Sequence, residues 1–426
     1  MIRSMYAGIG GMKNFQTKLD VIGNNISNVN TFGYKKGRAT FQDLVSQQLS
    51  GASTENDNRG GTNPQQVGLG STLSSIDTIH TQGSLQTTGR DLDLGISGDG
   101  FFIANDGGQS YYTRAGNFYL DEQGSLVTAD GLRVQGYSAD ENGVLNENQV
   151  GDLEIAAGDA MAPQATTEAS FKGNLDATSE SAEVGSLLED GEAFSSDMIQ
   201  GNGTIASFNV ANSLGEVNEI ELVFQKTGEN TWQVGYLTDD GDEQMFNQLA
   251  DDLQFSGNGT FQEADLEDIT LPAINGAEPI NISLDLSSMT QFSRSSNADA
   301  DHVNGNLDGV LESYNISESG EINGVFSNGE VRLLGQLALA NFNNPGGLSK
   351  SGDNLYESSN NSGDPQVGVP GDGGRGSLTG AALEMSNVDL SEEFAEMIVS
   401  QRGFQANTKM ITTSDEVLQE LVNLKR

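Results

Sequence analysis

The 426-residue chain contains no cysteine, which excludes disulfide bonds, thiol catalysis and cysteine-ligated metal sites. Basic residues are also scarce: 20 lysines and arginines stand against 61 aspartates and glutamates, a formal net charge of −41. So acidic a chain is a poor candidate for binding nucleic acid or an anionic membrane. The charge favours solubility and opposes self-association at low salt, so a polymer of this chain should form better at high ionic strength.

Long apolar runs are missing as well. No stretch approaches the length of a membrane-spanning helix, so no membrane insertion is predicted. The N-terminal segment also lacks the apolar run of a signal peptide, which predicts a cytosolic protein or one exported without a cleaved leader. The length predicts two to four domains, and 54 glycines with only 7 prolines indicate turn-rich β structure.

Residue patterns that carry catalysis are not recognisable. His80 and His302 are the only histidines, and neither lies in a Ser-His-Asp context or at zinc-ligand spacing; we predict both to be surface or strand residues. Residues 371–376 satisfy the glycine fingerprint of dinucleotide-binding proteins, but prolines stand where the preceding buried strand should be. This segment is therefore predicted to be a linker, with no cofactor.

Acidic residues cluster at three places without forming the calcium loop that ends in glutamate. Solvated turn carboxylates are the simpler interpretation, and no metal site is predicted. Paired carboxylates for glycoside hydrolysis stay open, because the chain offers too many acidic candidates to select two. The clusters are Asp91 with Asp93, Asp239 with Asp240 and Asp242, and Asp251 with Asp252.

Both ends of the chain carry a seven-residue apolar repeat, typical of the a and d positions of a coiled coil. In the N-terminal segment the repeat selects two rows: Met5, Met12, Leu19 and Ile26, and Phe15, Ile22 and Val29. Near the C-terminus it selects Leu383, Leu390, Met397, Phe404, Ile411 and Leu418, with Phe394, Leu421 and Val422 widening the stripe.

The two repeats predict one helix at each end. The N-terminal helix, over about residues 4–28, should be marginal alone because four glycines each cost about 1 kcal/mol of helix propensity relative to alanine. Asn387 or Asp389 is predicted to cap the C-terminal helix. Each helix either packs on its own domain or pairs with the other, and the shared repeat favours pairing. The glycines are Gly8, Gly10, Gly11 and Gly23.

Between the helices, short apolar runs separated by turn signals predict antiparallel strands. The fold class is multidomain and mainly β, with antiparallel barrels or sandwiches and terminal α-helices that pair as a coiled coil. Four parts are predicted: a terminal helical polymerisation domain over 1–35 with 380–426; linkers or extended arms over 36–75 with 357–379; an inner β domain over 76–164 with 296–356; and an inserted outer β domain over 165–295.

The segment Asn24-Asn-Ile-Ser-Asn-Val-Asn-Thr-Phe-Gly33 closely resembles the N-terminal signature of the flagellar rod and hook family. The stretches 383–390, 397–404 and 418–424 look like the second signature of that family, and 335–342 and 352–356 extend the match to about half the chain. The signature positions are Asn24, Asn25, Asn28, Asn30, Thr31, Gly33, Asn387, Gln401 and Arg402.

This resemblance implies a structural subunit and no enzyme. The large central insert is similar to that of hook subunits, with a distal rod subunit as the alternative. The expected protein leaves the cell through the flagellar type III apparatus and polymerises into a flexible curved tube, a universal joint at the extracellular surface that transmits torque to the filament. Besides copies of itself, the expected partners are the distal rod, hook cap and hook-filament junction proteins. The lysine–cysteine cross-link of some hook proteins is excluded, because cysteine is absent.

Overall fold

A computed structural model of the chain describes residues 2–52, 54, 60–140, 142–155, 158, 160–183, 187–239, 244–273 and 275–423. Asp240 and Asp242 of the predicted acidic clusters lie outside these residues. The chain divides into two compact units. Unit 1 comprises Met1–Ala156, Tyr314–Gly324 and Arg332–Arg426, and unit 2 comprises Ala157–Ser313 and Val325–Val331.

The described residues form two α-helices, two 3₁₀ helices and 32 β-strands. The α-helices are α1 (Ile2–Ser27) and α2 (Leu390–Asn423), and the 3₁₀ helices are Ser196–Ile199 and Pro345–Gly347. The first strands are β1 (Gly37–Asp43), β2 (Gln47–Ser50), β3 (Gln65–Val67), β4 (Ser71–Thr78), β5 (Leu85–Thr87), β6 (Leu94–Ser97), β7 (Phe101–Asn105), β8 (Ser110–Thr113), β9 (Tyr119–Leu120), β10 (Leu126–Val127), β11 (Arg133–Ser138), β12 (Gly151–Asp152), β13 (Ala160–Met161), β14 (Glu168–Asp176), β15 (Glu192–Ala193) and β16 (Gly203–Ala211). The remaining strands are β17 (Val217–Gly228), β18 (Thr231–Asp239), β19 (Gln244–Phe255), β20 (Phe261–Glu263), β21 (Ile269–Leu271), β22 (Ile280–Phe292), β23 (Asp299–Val303), β24 (Gly309–Ile316), β25 (Glu321–Phe326), β26 (Val331–Leu337), β27 (Leu339–Asn341), β28 (Ser349–Gly352), β29 (Leu355–Glu357), β30 (Gln366–Gly368), β31 (Ser377–Gly380) and β32 (Ala382–Glu384).

Unit 1 is built on an antiparallel sheet with the strand order β26-β11-β7-β8-β29-β28. Predicted turn signals mark its reversals: Gly131 and Gly143 have φ of 83° and 76°, a left-handed conformation that glycine adopts without a Cβ penalty. Two short pairs, β31 with β6 and β32 with β5, connect the C-terminal part of the chain to this region. Strands also occur in the segments predicted as linkers, where β1 pairs with β4 and β2 with β3.

One hydrophobic cluster of unit 1 is rich in aromatic side chains, among them Phe101 of β7 and Tyr112 of β8. Phe101, Tyr112 and Phe342 pack edge to face, with ring centroids 4.8 Å apart for Tyr112 and Phe342. Tyr356 joins them from β29, at 3% exposure. Because this cluster has strands from both ends of the chain, unit 1 forms only when distant segments come together.

Unit 2 is a β-sandwich. An antiparallel sheet of β15-β19-β18-β17-β16, with β20 on β19, shares one core with a second sheet of β21-β22-β14-β23, in which β14 and β22 are parallel. Strand β22 alternates buried and exposed residues along most of its length, as expected for a strand with one solvated face. Phe171, Phe224 and Trp232 are fully buried in the shared core, so unit 2 has a complete hydrophobic interior of its own.

The predicted fold class is confirmed: the chain is mainly β, with one helix near each terminus and contacts between the two helices. Within the residues that the structure describes, neither helix combines the length and the apolar character needed to cross a membrane.

Candidate functional site

The two terminal helices pair in antiparallel orientation within unit 1. A Cβ placed on Gly8 would lie 3.4 Å from Cγ1 of Ile411, near the N-terminal end of α1. Further along α1, Lys18 Nζ lies 3.1 Å from a carboxylate oxygen of Glu396. The contacts therefore move towards the N-terminal end of α2 as α1 runs towards its C-terminal end, so the two helices are antiparallel.

Small residues allow the two helices to approach closely. A Cβ on Gly11 would lie 2.9 Å from Oδ1 of Asn407, and a Cβ on Gly403 would lie 2.6 Å from the ring of Phe15. At Gly23, by contrast, an added Cβ would meet nothing within 4 Å. The glycines that weaken α1 as an isolated helix are therefore not equivalent, because Gly8 and Gly11 lie in the contact with α2.

Most predicted packing residues lie along this helix pair and are partly buried. In the described part of α1 and α2, Ile22 is the one apolar side chain that is fully buried, at 2% exposure. Leu383 is not in the helix: it lies in β32 at 3% exposure, because α2 begins only at Leu390. Val29 similarly follows the end of α1. The partly buried members are Met5, Met12, Phe15, Leu19, Ile26, Val29, Met397, Phe404, Ile411 and Leu418.

The second heptad row of α2 consists of polar residues, which a search for apolar periodicity misses. Glu393 and Ser400 are buried, Ser400 at 0% exposure, and the hydroxyl of Ser400 has no hydrogen-bond partner among the described residues. Asn407 donates from Nδ2 to the Gly403 carbonyl at 2.8 Å, and Ser414 continues the row in a partly buried position. The same seven-residue spacing, applied to small polar residues, would have identified this row.

Apolar side chains also occupy faces of the two helices that the described residues leave exposed. Val399 is 63% exposed and Tyr6 70% exposed. Such an uncovered apolar face is typical of a surface that binds another protein. The remaining exposed members are Ile9, Leu390, Phe394, Ile398, Met410, Val417 and Val422.

A buried ion cluster lies at the junction between the helices and the β-sheet of unit 1. Lys35 Nζ lies 2.7 Å from Oε1 of Glu384, and Arg114 Nη1 lies 3.3 Å from Oε2, with all three side chains at most 2% exposed. The backbone N–H of Gly83 donates to Glu384 at 2.8 Å, and Lys35 donates to the Thr81 carbonyl at 2.9 Å. Desolvation lowers the pKa of Lys35, and the charge of Glu384 opposes that shift. Sequence spacing gave no sign of this cluster.

His80 lies beside the cluster, in the loop after β4. Its ring packs between those of Phe101 and Tyr356, with centroids 5.7 and 5.5 Å away, and both ring nitrogens are buried without a hydrogen-bond partner among the described residues. Desolvation, followed by the charges of Lys35 and Arg114, lowers the pKa of His80 to about 4. The prediction of a surface or strand residue is therefore wrong for His80, whereas His302 lies on the exposed strand β23.

The signature asparagines connect the end of α1 to the start of α2. Asn25 donates from Nδ2 to the Gly37 carbonyl at 2.9 Å and to Glu393 at 3.2 Å, while its Oδ1 accepts from the Gly37 N–H. Tyr34 donates its hydroxyl proton to Asn24 Oδ1 at 2.6 Å. Desolvation raises the pKa of the Glu393 carboxyl, and the hydrogen bond from Asn25 counteracts it. These amides satisfy buried polar groups that would otherwise lose their partners.

Asp389, not Asn387, caps α2. Its carboxylate accepts from the N–H of Ser391 at 2.7 Å and from the next N–H at 3.3 Å. Asn387 instead accepts from the Lys36 N–H at 2.8 Å and donates to the Ile79 carbonyl at 2.8 Å. Asn387 therefore connects the loop after α1 with the end of β4.

Gly33 lies where the chain leaves α1 and approaches the sheet. Its φ is 70°, and a Cβ there would lie 2.6 Å from the Ala115 nitrogen, so only glycine fits. Asn28 and Thr31 form a hydrogen-bonded turn between them, with Thr31 Oγ1 3.2 Å from Asn28 Oδ1. The remaining signature residues, Asn30, Gln401 and Arg402, are exposed.

Across the described residues, no group of three or more histidine, aspartate or glutamate side chains is placed to hold a metal ion. The candidate site combines the partly exposed apolar helix pair with the buried polar junction beside it.

Four family models match the chain in sequence order. They are "Flagella basal body rod protein" over residues 5–35, "Flagellar hook protein FlgE/F/G D1 domain" over 95–174, "Flagellar basal body protein FlaE D2 domain" over 174–306 and "Flagellar basal body rod FlgEFG protein C-terminal" over 379–424.

Relatives match over the full length. Proteins named flagellar hook protein FlgE are 41% identical in Borreliella burgdorferi and 39% identical in Treponema pallidum, each covering 100% of both chains. A Bacillus subtilis protein named flagellar basal-body rod protein FlgG is 36% identical over 100% of both chains. The crystal structure of Helicobacter pylori flagellar hook protein FlgE2 shares the fold at a TM-score of 0.53 and 16% identity, covering 70% of this chain and 100% of that one.

Proposed function

This chain belongs to the flagellar hook protein family, and on that premise we propose that it is a hook subunit that polymerises through its paired terminal helices. It is a structural component of the bacterial flagellum.

The observation that carries the proposal is the incomplete burial of the helix pair. A helix that packed fully within its own subunit would bury its apolar stripe. In α1 and α2 the described apolar side chains other than Ile22 remain partly or largely exposed, and Val399 and Phe394 are 63% and 50% exposed. Neighbouring copies would cover them, so assembly would supply the stability that the helices lack in one chain.

Assembly through a repeated contact has a geometric consequence. Each copy uses two different surfaces, and a contact that does not close into a ring generates an open helical tube. The predicted packing rows, from Met5 to Val29 and from Leu390 to Leu418, would line the inner contacts of that tube. The predicted outer domain, residues 165–295, would face the outside, with β domains shifting between neighbours as the curved tube rotates.

We further propose the partners that a hook subunit needs. The chain would pass unfolded through the flagellar type III export apparatus and add to the growing end beneath a hook cap protein. Its polymer would join the distal rod protein at one end and the hook-filament junction protein at the other.

Electron microscopy of purified protein at raised salt tests the polymerisation mechanism. The full chain should form tubes, and variants lacking residues 1–35 or 380–426 should stay monomeric. The mechanism would be refuted if both truncated variants polymerised. It would also be refuted if the full chain, like the truncated variants, formed no tubes.

A point variant gives a sharper test, because truncation also disturbs unit 1. Val399→Glu places a charge in the exposed apolar face and should abolish tubes while leaving the melting temperature of the monomer unchanged. Val399→Leu keeps an apolar side chain at the same position without adding a charge, and should retain assembly. Normal tubes from Val399→Glu would exclude this face from the subunit contact.

A further inference from the structure

A polar cleft lies beside the end of α1 in unit 1. Its volume is about 430 Å³, and Asn28 and Thr31 from the signature turn form one side. Asp130 and Asp353 contribute carboxylates from two separate loops, and no lining residue is basic. The cleft therefore has two acidic residues and several neutral polar ones in its walls, together with the apolar residues Ala115, Ala129 and Leu355.

The cleft walls are held by hydrogen bonds that do not involve either carboxylate. Asn354 donates from Nδ2 to the Phe32 carbonyl at 3.1 Å, and its own carbonyl accepts from the Thr113 hydroxyl at 3.0 Å. Among the described residues neither Asp130 nor Asp353 has an ion-pair or side-chain hydrogen-bond partner. Both acceptors are therefore free to bind an incoming donor.

Charge near the cleft favours a cation. Asn28 directly follows the last residue of α1, so the negative end of the helix dipole is close to the cleft. Two exposed carboxylates add to that potential. A planar cation with several donors would satisfy carboxylate, amide and hydroxyl acceptors together, which an arginine does better than a lysine.

Each copy of the chain carries a suitable cation on the helix face proposed for assembly. Arg402 is exposed on α2, close to the exposed side chains of Ile398 and Val399, and it makes no ion pair in the described part of the chain. The chain has 20 basic residues against 61 acidic ones, so few cations are available to bind an acidic cleft, and Arg402 is one of them.

We propose that the cleft formed by Asn28, Thr31, Asp130, Asp353 and Asn354 binds the Arg402 guanidinium of a second copy of this chain. The inference rests on the proposed polymerisation and adds one specific contact to it. This contact would fix the register between neighbouring subunits, since a charged group in a polar cleft has one favourable position whereas an apolar stripe can slide.

Charge exchange tests the contact. The critical concentration for polymerisation is measured by sedimentation at one fixed salt concentration for the unaltered chain, Arg402→Glu, Asp130→Lys and the double variant. Each single change should raise the critical concentration about three- to tenfold, and the double variant should recover to within about twofold. Lys409→Glu, one heptad further along α2, serves as the control and should not be rescued by Asp130→Lys.

The absence of cysteine permits an independent test. Asp130→Cys combined with Arg402→Cys should give cross-linked dimers and higher species with a short bismaleimide in the polymer, and none in dilute monomer. Tubes that form normally without that cross-link, or a double charge variant no better than the worse single variant, would overturn the Arg402 contact. If the unaltered chain forms no tubes, the polymerisation proposal fails first.

Discussion

The terminal region, residues 1–35 with 380–426, is nearly neutral, whereas unit 2 is strongly acidic. The terminal region has 8 basic and 9 acidic residues, so its formal charge is 8 − 9 = −1. Unit 2 has 3 basic and 30 acidic residues, which gives 3 − 30 = −27. Repulsion between copies therefore concentrates in unit 2, while the proposed helical contact is nearly neutral and can form without a large electrostatic barrier.

The two regions also differ in how completely they are packed. Unit 2 closes around a core that includes Phe171, Phe224 and Trp232, all fully buried. The described helical residues of the terminal region fully bury only Ile22 among their apolar side chains, and rely on glycines for close approach. Unit 2 is thus stabilised by its own interior, whereas the helix pair leaves most of its described apolar side chains partly or largely exposed.

The largest expected effect comes from replacing one phenylalanine by alanine in each region. Phe224→Ala should lower the free energy of unfolding of unit 2 by about 3–5 kcal/mol, because it leaves a cavity in a closed core. Phe394→Ala, at a side chain that is 50% exposed on α2, should cost below about 1 kcal/mol in the monomer. Chemical denaturation of monomers measures both values, and equal losses would contradict the difference in packing.

Removing the charge of Glu384 from the buried ion cluster tests whether part of the terminal region is strongly stabilised within one chain. Glu384→Gln keeps an acceptor but leaves the buried cations Lys35 and Arg114 without a counter-charge, so it should cost about 3 kcal/mol. Glu392→Gln removes the ion pair with Lys36. Because the Glu392 side chain is 56% exposed, this change should lower the free energy of unfolding by less than about 1 kcal/mol. If both variants melt alike, the junction is not held by its buried carboxylate.

His80 gives the junction a pH dependence. Its pKa is about 4 when folded and near 6.5 when unfolded, so below pH 6.5 the unfolded chain takes up a proton that the folded chain does not. Stability from this group is complete above pH 6.5 and falls by at most about 1.4 kcal/mol per pH unit down to about pH 4, roughly 3 kcal/mol in all.

His80→Phe keeps the ring between Phe101 and Tyr356 and removes the titration. The difference in unfolding free energy between the original chain and this variant should change across pH 6.5–4 and be constant above pH 7. A constant difference over the whole range would show that the burial of His80 has no role in acid sensitivity.

Glycine substitutions in α1 and α2 give the smallest effects. They distinguish a glycine that is needed for close contact between the helices from one that only lowers helix propensity. Gly403→Ala should cost about 1 kcal/mol, because its Cβ would meet the Phe15 ring at 2.6 Å and the strain exceeds the gain in helix propensity. Gly23→Ala has open space and should stabilise the monomer by about 0.5–1 kcal/mol. Thermal unfolding followed by circular dichroism measures both, and shifts of the same sign would refute the assignment of Gly403 to the helix contact.

Seven-residue periodicity was sufficient to predict the helices, and short apolar runs separated by turn signals were sufficient to predict that strands predominate. The seven-residue spacing of Met397, Phe404 and Ile411 identified one row of α2, since apolar repeats reflect a shared face. It placed Leu383 in the same row, because spacing alone does not reveal that Asp389 caps the helix six positions later. Helix ends depend on local hydrogen bonds that a periodic pattern does not encode.

The polar junction was beyond sequence reasoning for a different reason. Lys35, Arg114 and Glu384 are distant in sequence and each is an unremarkable charged residue by itself. Only the pairing of β32 with β5 and the course of β8 bring them together. The signature asparagines were identified by resemblance, yet their partners, such as Gly37 and Glu393, emerge only from the folded chain.

The long sequence separation of these contacts sets an order in which the chain can fold. Asn25 meets a residue 368 positions later, and Lys35 meets one 349 positions later. A chain that emerges with its N-terminus first, from the ribosome or from an export channel, cannot close either contact until almost all of it has emerged, and closing so large a loop has an entropic cost. The helical region can therefore make these contacts only after unit 2 has all of its residues available.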